Sequence, residues 1–575
     1  MKISRLLTSF LLIYSGLKLP VAAQPEPSPT SGEEVKACML RATRFMMDSI
    51  SYQGAFVWSY LPDLSRFWGE IEALHRTTVW IQPPGTPSMG QILLDAYHAT
   101  GDEYYYEQAR RVADVLIRVQ HPEGGWNYVE DLAGEDSLKV FYATIGRQAW
   151  RLEEFQHYYG NITFDDEATS LAAKFLLRLY LDKRDAEVGK AVDRVIRLML
   201  DSQYPNGGWP QRYPLRFDHP FRGKKDYSSF VTLNDDVMID NIDFLIQCYQ
   251  ALGRTDLLEP IHRAMYLLAD LQQPAPLAGW SDQYESKELS PAHARSYEPR
   301  SINTGVTMNM IRTMCNYYCL TGDERFLEGV PSAIRFIDSL RLSPEDEERW
   351  GRPRRREEDI LVPRFLRPED GVPLYVHRKG SNVGNGRYYT DQDISRTIVH
   401  YSSALYVNTH ELSDRYEELL STPKEKLTNL SPLLYPERNS AVPRFYYGPG
   451  TLRMNPRYPR EADEIIRAQS PSGAWIFPLD RISHPYRPMP DDQPESDDSS
   501  FESTNEGDEF DTSTYYPTEP VEGISTHVYI RLMTSLIEYL RFDCGTTSAD
   551  ALDKPMRHHR PRLLRFRHRH DEFQR

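Results

Sequence analysis

The sequence predicts an all-α fold: an (α/α) toroid of helical hairpins, with short β or irregular loops on its cleft face. Three observations lead there. Segments with helical apolar spacing follow one another through the middle of the chain. Gly-Asp turns separate them at recurring positions. A Gly-Trp loop recurs at the opposite ends of the same segments, and several hairpins that each hide an apolar face on a neighbour close into a ring or a solenoid.

The elements follow in chain order. Lys2 and Arg5 precede the short apolar run Leu6–Leu17, and Val21-Ala22-Ala23 is a small-residue cleavage site, so residues 1–23 read as a signal peptide. The run is too short to span a membrane, and no later stretch is long enough, so the expected location is secreted or periplasmic. Gln24–Gly32 reads as a flexible leader, and residues 24–83 as leader plus a small N-terminal cap rich in aromatic loop residues. The toroid is expected over 84–420. Its first hairpin joins Ser88–Thr100 to Glu103–Gln120 through Gly101-Asp102, and Thr321-Gly322-Asp323 repeats that turn, with Gly253 in a looser copy. The second recurrence is His121-Pro-Glu-Gly-Gly-Trp126, Tyr204-Pro-Asn-Gly-Gly-Trp209 and Leu277-Ala-Gly-Trp280, spaced by 83 and 71 residues. A period of this length fits a helical pair plus a long loop. In a ring these loops would gather on one face, where Gly permits close backbone approach and Trp offers a flat surface to a sugar. Residues 421–545 read as a C-terminal extension, with an acidic, Ser/Pro/Asp-rich stretch at 485–518 and a helix at 523–541; residues 546–575 are a basic tail.

Composition narrows the function. The 575 residues carry 67 Lys+Arg against 83 Asp+Glu, a net charge of −16, which argues against a phosphate-backbone binder and so against a nucleic-acid partner. An acidic substrate stays open, because a local cationic cleft or a bound metal can override the global sign. Hydrophobic residues at 40% and aromatic residues at 12% supply a sizeable core. Five cysteines are too few for a disulfide scaffold, and Cys315 and Cys319, four apart on a helix, read as core packing.

Several segments place chemistry at helix ends. Phe164-Asp165-Asp166-Glu167 and Leu233-Asn234-Asp235-Asp236 each open a helix with adjacent acids. Capping explains such acids; so does a hard cation such as Ca²⁺, because neighbouring carboxylates repel unless a metal or proton intervenes. Tyr204–Pro214 is built mainly of Gly, Pro, aromatic and amide residues around Trp209 and Arg212. Arg295 lies outside helical periodicity beside Tyr297 and Glu298. Arg378, Lys379 and Arg387 are cations of the kind that bind sugar carboxylates.

Taken together, QPPGTPSMGQILLDAYHATGDE, FDDEATS, QYPNGGWPQRYP, TLNDD, GWSDQYES, ARSYEP and PLYVHR, in this order between about Trp80 and His400, resemble the family 10 polysaccharide lyases, the pectic acid lyases. YPNGGWPQ followed by an NDD helix is the specific combination. The resemblance implies a toroid that cleaves polygalacturonate, an acidic polysaccharide, by calcium-dependent β-elimination. It implies that Asp165, Asp166 and Asp235 hold Ca²⁺ and that Arg295 removes the C5 proton. Trp209, Arg212, Asn234, Tyr297, Glu298, Arg378 and Arg387 are the expected substrate-binding residues, and a monomer is expected. The chain departs from the family pattern at Asp166 and Glu167, where many members have Asn and Asp, and at Asn127-Tyr128 after the first Gly-Gly-Trp, where Pro-Lys is frequent.

Elimination needs a base near the C5 proton and neutralisation of the adjacent carboxylate, which stabilises the enolate-like charge that develops. A free Arg has a pKa above 12, so the base role requires nearby positive charge and burial, and it predicts an alkaline rate optimum. Two other readings stand beside it. A glycoside hydrolase on the same toroid would use Asp165 and Asp235 as its acid pair. A non-catalytic glycan-binding relative would keep the aromatics and arginines without turnover.

Overall fold

The computed structural model describes residues 30–146, 153–216, 225–354, 356–379, 387–395, 397–398, 402–438, 458–479 and 521–542. The signal segment, the acidic stretch and the basic tail lie outside the described residues. Among the described residues no helix is long and apolar enough to cross a membrane.

Helices dominate, in two kinds. α2 (Thr86–Thr100), α5 (Ala168–Lys183), α7 (Val237–Leu252) and α9 (Thr304–Thr321) are buried around most of their circumference. α1 (Gly32–Arg44), α3 (Glu103–Arg118), α6 (Ala186–Ser202), α8 (Leu258–Asp270) and α11 (Val330–Ser339) bury one stripe. The first kind forms an inner ring and the second its outer shell, the toroid expected from the hairpin pattern. The shorter α4 (Glu135–Ala143), α10 (Arg325–Glu328), α12 (Pro344–Trp350) and α14 (Lys424–Thr428) fill connections, and α13 (Thr409–Ser421) packs on α9 and α11. Inside the ring the inner helices face one another with polar groups: Lys174 pairs with Asp240 at 3.0 Å, and Arg178 with Asp95 at 2.6 Å.

The turns follow the sequence reading, with one disguised copy. Gly101, Gly253 and Gly322 end α2, α7 and α9 in the left-handed conformation. Arg184, φ 55°, does the same for α5, so this hairpin carries no glycine signal. Asp102 and Asp185 then cap the following outer helices through Tyr104 N at 3.0 Å and Glu187 N at 2.9 Å.

The Gly-Trp loops have a structural task, which corrects the expectation that they face a sugar. Trp126, Trp209 and Trp280 are fully buried, and each indole Nε1 donates to a carbonyl near the end of the preceding outer helix: Leu116 O at 2.9 Å, Met199 O at 2.8 Å and Leu268 O at 2.8 Å. Gly124 and Gly207 adopt φ of 111° and 101°. A Cβ there would sit 2.4 Å from Arg194 O and 2.7 Å from Arg263 O on the next outer helix. Each loop is thus a plug that locks one hairpin onto the next.

The plug recurs where the sequence did not reveal it. Gly473-Ala474-Trp475 follows α15 (Tyr458–Ala468) and leads toward α16 (Thr526–Phe542). Trp475 donates to Ile465 O at 3.1 Å, and a Cβ on Gly473 would meet Arg41 O on α1 at 2.6 Å. Gly54 leans on Arg111 of α3 in the same way, with Phe56 in place of Trp. α16 packs on α1 and α2, with the Thr43 and Tyr529 hydroxyls 2.7 Å apart. Ser59–Tyr60 pairs antiparallel with Val521–Ser525, which also pairs with Phe477–Leu479. The segments set apart in the sequence as cap (24–83) and extension (421–545) are therefore joined to each other and to the ring.

Short strands occupy one end of the ring, before the inner helices. Thr78–Trp80 pairs with Val129–Asp131, Ile162–Thr163 with Arg212–Tyr213, Val231–Thr232 with Gln283–Tyr284, and Ile302–Asn303 with Phe365–Leu366, all antiparallel. Each strand that enters an inner helix is bound to the strand after the next loop, so the helix N-termini of successive hairpins are held side by side. Cys38, Cys248, Cys315 and Cys319 are buried free thiols, which matches the core-packing reading of the last two.

Candidate active site

Two inner helices begin with the same unusual backbone. Before α5, a single turn at Asp165–Glu167 places Asp166 and Glu167 in the left-handed region, with φ of 49° and 57°. Before α7, Asn234–Asp236 repeats it with Asp235 and Asp236 at 52° and 57°. Consecutive non-glycine residues at positive φ are strained and persist where their surroundings hold them. The matching backbone angles make Asn234 the counterpart of Asp165, and Asp235 the counterpart of Asp166. They bring the acids of two hairpins together at the ring's end.

Arg295 lies in the middle of these acids. Its side chain is 3% exposed. Nη2 donates to Asp165 Oδ2 at 2.8 Å, Nη1 to Asp235 Oδ2 at 3.4 Å and to Glu298 Oε2 at 3.3 Å, and Nε to Glu154 Oε1. Glu298 also accepts from the Arg295 backbone N–H at 3.0 Å, which fixes the turn that carries the arginine. Four carboxylates from four separate segments thus surround one guanidinium. The positive neighbours that the base role was expected to need are not what surrounds it.

The acid pair is strongly perturbed. Asp165 and Asp235 are in hydrogen-bond contact with each other, and both are pushed well above the ordinary carboxyl range. For Asp165 the causes are burial, then the charges of Asp235 and Asp166; for Asp235 they are burial, then Asp166 and Glu298. Supporting contacts orient the group. Tyr128 Oη donates to Asp165 Oδ2, as does Gln211 Nε2 at 3.0 Å. Gln82 Nε2 donates to Asp166 Oδ2 at 2.8 Å and to Glu70 Oε2 at 2.9 Å. Asn234 Nδ2 donates to Asp235 Oδ2 at 3.1 Å.

The donor set suits a hard cation in its chemistry. Asp165 Oδ1, Asn234 Oδ1 and Gln211 Oε1 are buried oxygens that receive no hydrogen bond, and uncompensated buried acceptors are costly. All are the oxygen ligands that Ca²⁺ prefers. Among the described residues no three acidic, His or Cys side chains already converge on a common point; the guanidinium of Arg295 lies between Asp165 and Asp235.

Several expected substrate-binding residues have other positions. Trp209 is the hairpin plug described above. Arg212 is 1% exposed, stacked between the rings of Tyr159 and Tyr128 with its guanidinium carbon 4.3 and 5.0 Å from their centroids. Tyr297 is buried against Phe365, Val376 and Ile398, where an aromatic hydrophobe gains more than at a wet groove. Glu298 is buried as a partner of Arg295, and Asn234 as a partner of Asp235. None of the five presents its side chain to solvent. Arg378 and Arg387 lie on the antiparallel strands Pro373–Lys379 and Arg387–Asp391; their side chains lie outside the described residues.

Glu154, Tyr128, Gln211 and Gln82 were not anticipated. A signal existed for three of them: Gln82, Tyr128 and Gln211 each stand two positions after a tryptophan, at Trp80, Trp126 and Trp209. Glu154 sits in a charged stretch with no such register.

The middle of the chain also matches a known family model. Residues 144–384 match the model of the pectic acid lyase family. Asp165, Asp235 and Arg295 all fall inside the matched segment. Among solved structures the chain is similar to a mutant of a family 10 polysaccharide lyase from Cellvibrio cellulosa in complex with trigalacturonic acid, at 16% identity over 58% of this chain and 93% of that one, TM-score 0.35. It is also similar to an unsaturated glucuronyl hydrolase specific for heparin, at 11% identity over 89% and 98%, TM-score 0.34. A family 76 glycoside hydrolase from a bovine Bacteroides thetaiotaomicron strain matches at 9% identity over 89% and 78%, TM-score 0.38. No curated protein matches the chain in sequence.

Proposed function

We propose that the protein is an exported pectate lyase that cleaves polygalacturonate by β-elimination, with Arg295 as the base and Ca²⁺ held by Asp165, Asp166 and Asp235. The observation that carries this reading is the convergence of Asp165, Asp235 and Arg295, from three hairpins, within hydrogen-bond reach of one another. The same closeness weighs against a glycoside hydrolase, whose two carboxyl groups stand roughly 5–9.5 Å apart across the scissile bond. Two acids in direct contact suit a shared cation or proton instead.

The residues divide the work as follows. When bound, Ca²⁺ would neutralise a uronate carboxylate and so acidify the C5–H. Asp165, Asp166 and Asp235 supply oxygens for it, and Tyr128, Gln211 and Gln82 keep those oxygens aimed. Arg295 accepts the C5 proton, and the C4–O bond then breaks to leave an unsaturated sugar end, with no water consumed. In the structure Arg295 donates hydrogen bonds to four acids, so the base role requires that it give up these contacts first. The N-termini of α5, α7 and α9 point their positive ends toward the same face, which favours an anionic chain. The N-terminal segment 1–23 supports export.

Digestion of polygalacturonate followed in the ultraviolet tests the reading. Absorbance should rise with Ca²⁺, stop with a chelator and resume when the ion is restored. Unchanged turnover in excess chelator would remove calcium from the account, and Asp235→Asn with full activity would remove the site.

A further inference from the structure

Arg212 is buried, and among the described residues its neighbours are tyrosine rings and an amide rather than an ion-paired carboxylate. A buried charge without a partner is costly, so its position calls for a reason. Its Nη1 donates to Asn127 Oδ1 at 3.0 Å, while Nη2 meets no acceptor. Asn127 Oδ1 also accepts from Tyr128 N at 2.9 Å, so one amide fixes both the guanidinium and the backbone of the tyrosine beneath it. The guanidinium lies over the Tyr128 ring at 5.0 Å, and that ring's hydroxyl donates to Asp165 Oδ2. Backbone pairing sets the alignment: Arg212 is opposite Thr163, two residues before Asp165. Asn127, Arg212, Tyr128 and Asp165 therefore form one continuous chain of contacts that ends at the acid cluster.

We propose that Arg212 is a positioning residue for Asp165: its cation on the face of Tyr128 polarises the phenol, whose hydroxyl then donates more strongly and fixes the carboxylate with Oδ1 free for a cation. A cation is attracted to the negative face of an aromatic ring and draws electron density from the phenolic oxygen. An O–H that donates to a carboxylate is among the stronger hydrogen bonds, and linked polar groups reinforce one another. Outer partners of this kind set metal affinity by about 10–100-fold. The proposal rests on the function proposed above only for the cation at Asp165; the Tyr128 hydrogen bond does not depend on it.

Two readouts on the full chain test it. The hydroxyl-proton resonance of Tyr128 is identified by its loss in Tyr128→Phe. Terbium affinity is read from tyrosine-sensitised luminescence. In folded Arg212→Gln the resonance should move upfield and the terbium dissociation constant should rise about 10-fold. In the Tyr128→Phe background the same change should add nothing. A resonance unmoved in Arg212→Gln, or an equal loss of affinity in both backgrounds, would overturn the proposal. Should Arg212→Gln fail to fold, Arg212→Lys decides: a resonance moved part-way supports it, and one left in place overturns it. A wild-type chain that binds no terbium would overturn the cation reading and leave the resonance test standing.

Discussion

Replacing Arg295 with methionine should destabilise the protein strongly at neutral pH and weakly in acid. The side chain holds Asp165, Asp235, Glu154 and Glu298 together in a site from which water is excluded. Removing one partner of a buried ion pair costs about 3–5 kcal/mol, because the remaining charge is left uncompensated. Here several acids lose the same cation, so the cost belongs near the upper end, about 5 kcal/mol. At ~1 °C per kcal/mol for a chain of this length, the melting temperature should fall by about 5 °C at pH 7. The sign of the pH dependence follows from the raised acids. Asp165 and Asp235 already titrate well above the ordinary range, and loss of the guanidinium raises them further. The folded variant then binds more protons than the unfolded chain, so stability falls as pH rises from the normal carboxyl range. The deficit against wild type should therefore shrink toward pH 5. Thermal melts of both chains between pH 5 and 8 measure it. Equal melting at pH 7, or a deficit that widens on acidification, would refute the carboxylate cage.

Three further outcomes are expected. Burial pushes the Glu130 carboxyl up to about 8, above its unfolded value, so the folded state holds the extra proton and stability is lost as pH rises from about 4.5 to 8; Glu130→Gln should flatten that slope and gain about 2 kcal/mol at pH 8 by chemical denaturation, taking half of the full linkage because the side chain is partly exposed. Gly124→Ala should cost about 2–4 kcal/mol, since φ is 111° and the new methyl would meet Arg194 O at 2.4 Å; a denaturation midpoint equal to wild type would contradict the close loop contact. Trp209→Ala should lose about 3–5 kcal/mol of stability, while Trp209→Phe, if folded, should keep its KM for polygalacturonate; a large KM increase with unchanged stability would return Trp209 to the sugar groove.

The architecture was legible because its signals are local and repeated. Gly101-Asp102 and Gly322-Asp323 mark hairpins by backbone need alone, and the doubled acids at helix starts marked the two strained turns. The chain's own exceptions hid the rest. Arg184 takes a left-handed cap without glycine, and the fragments around Phe56 and Trp475 depart enough from Gly-Gly-Trp to conceal the repeats that tie the two ends of the chain to the ring. Within the site, residue type pointed to Asp165, Asp235 and Arg295. It misled for Trp209, Arg212, Tyr297 and Glu298, because the aromatic and charged groups that line a sugar groove are also those that plug helices and satisfy buried ions. Burial separates the two uses, and burial at these positions is set by contacts from distant segments. Glu154 and Arg295 are 141 residues apart, a pairing that neither local sequence contains.

The mass of the products from polygalacturonate tests the central claim most directly. Digestion by the protein with Ca²⁺ should give oligosaccharides whose new non-reducing ends are unsaturated, each lighter by one water than a hydrolysis product, and the activity should vanish in Arg295→Met held folded at low temperature. Products with hydrated ends, or intact polymer under the same conditions, would contradict β-elimination at the Asp165–Asp235–Arg295 site.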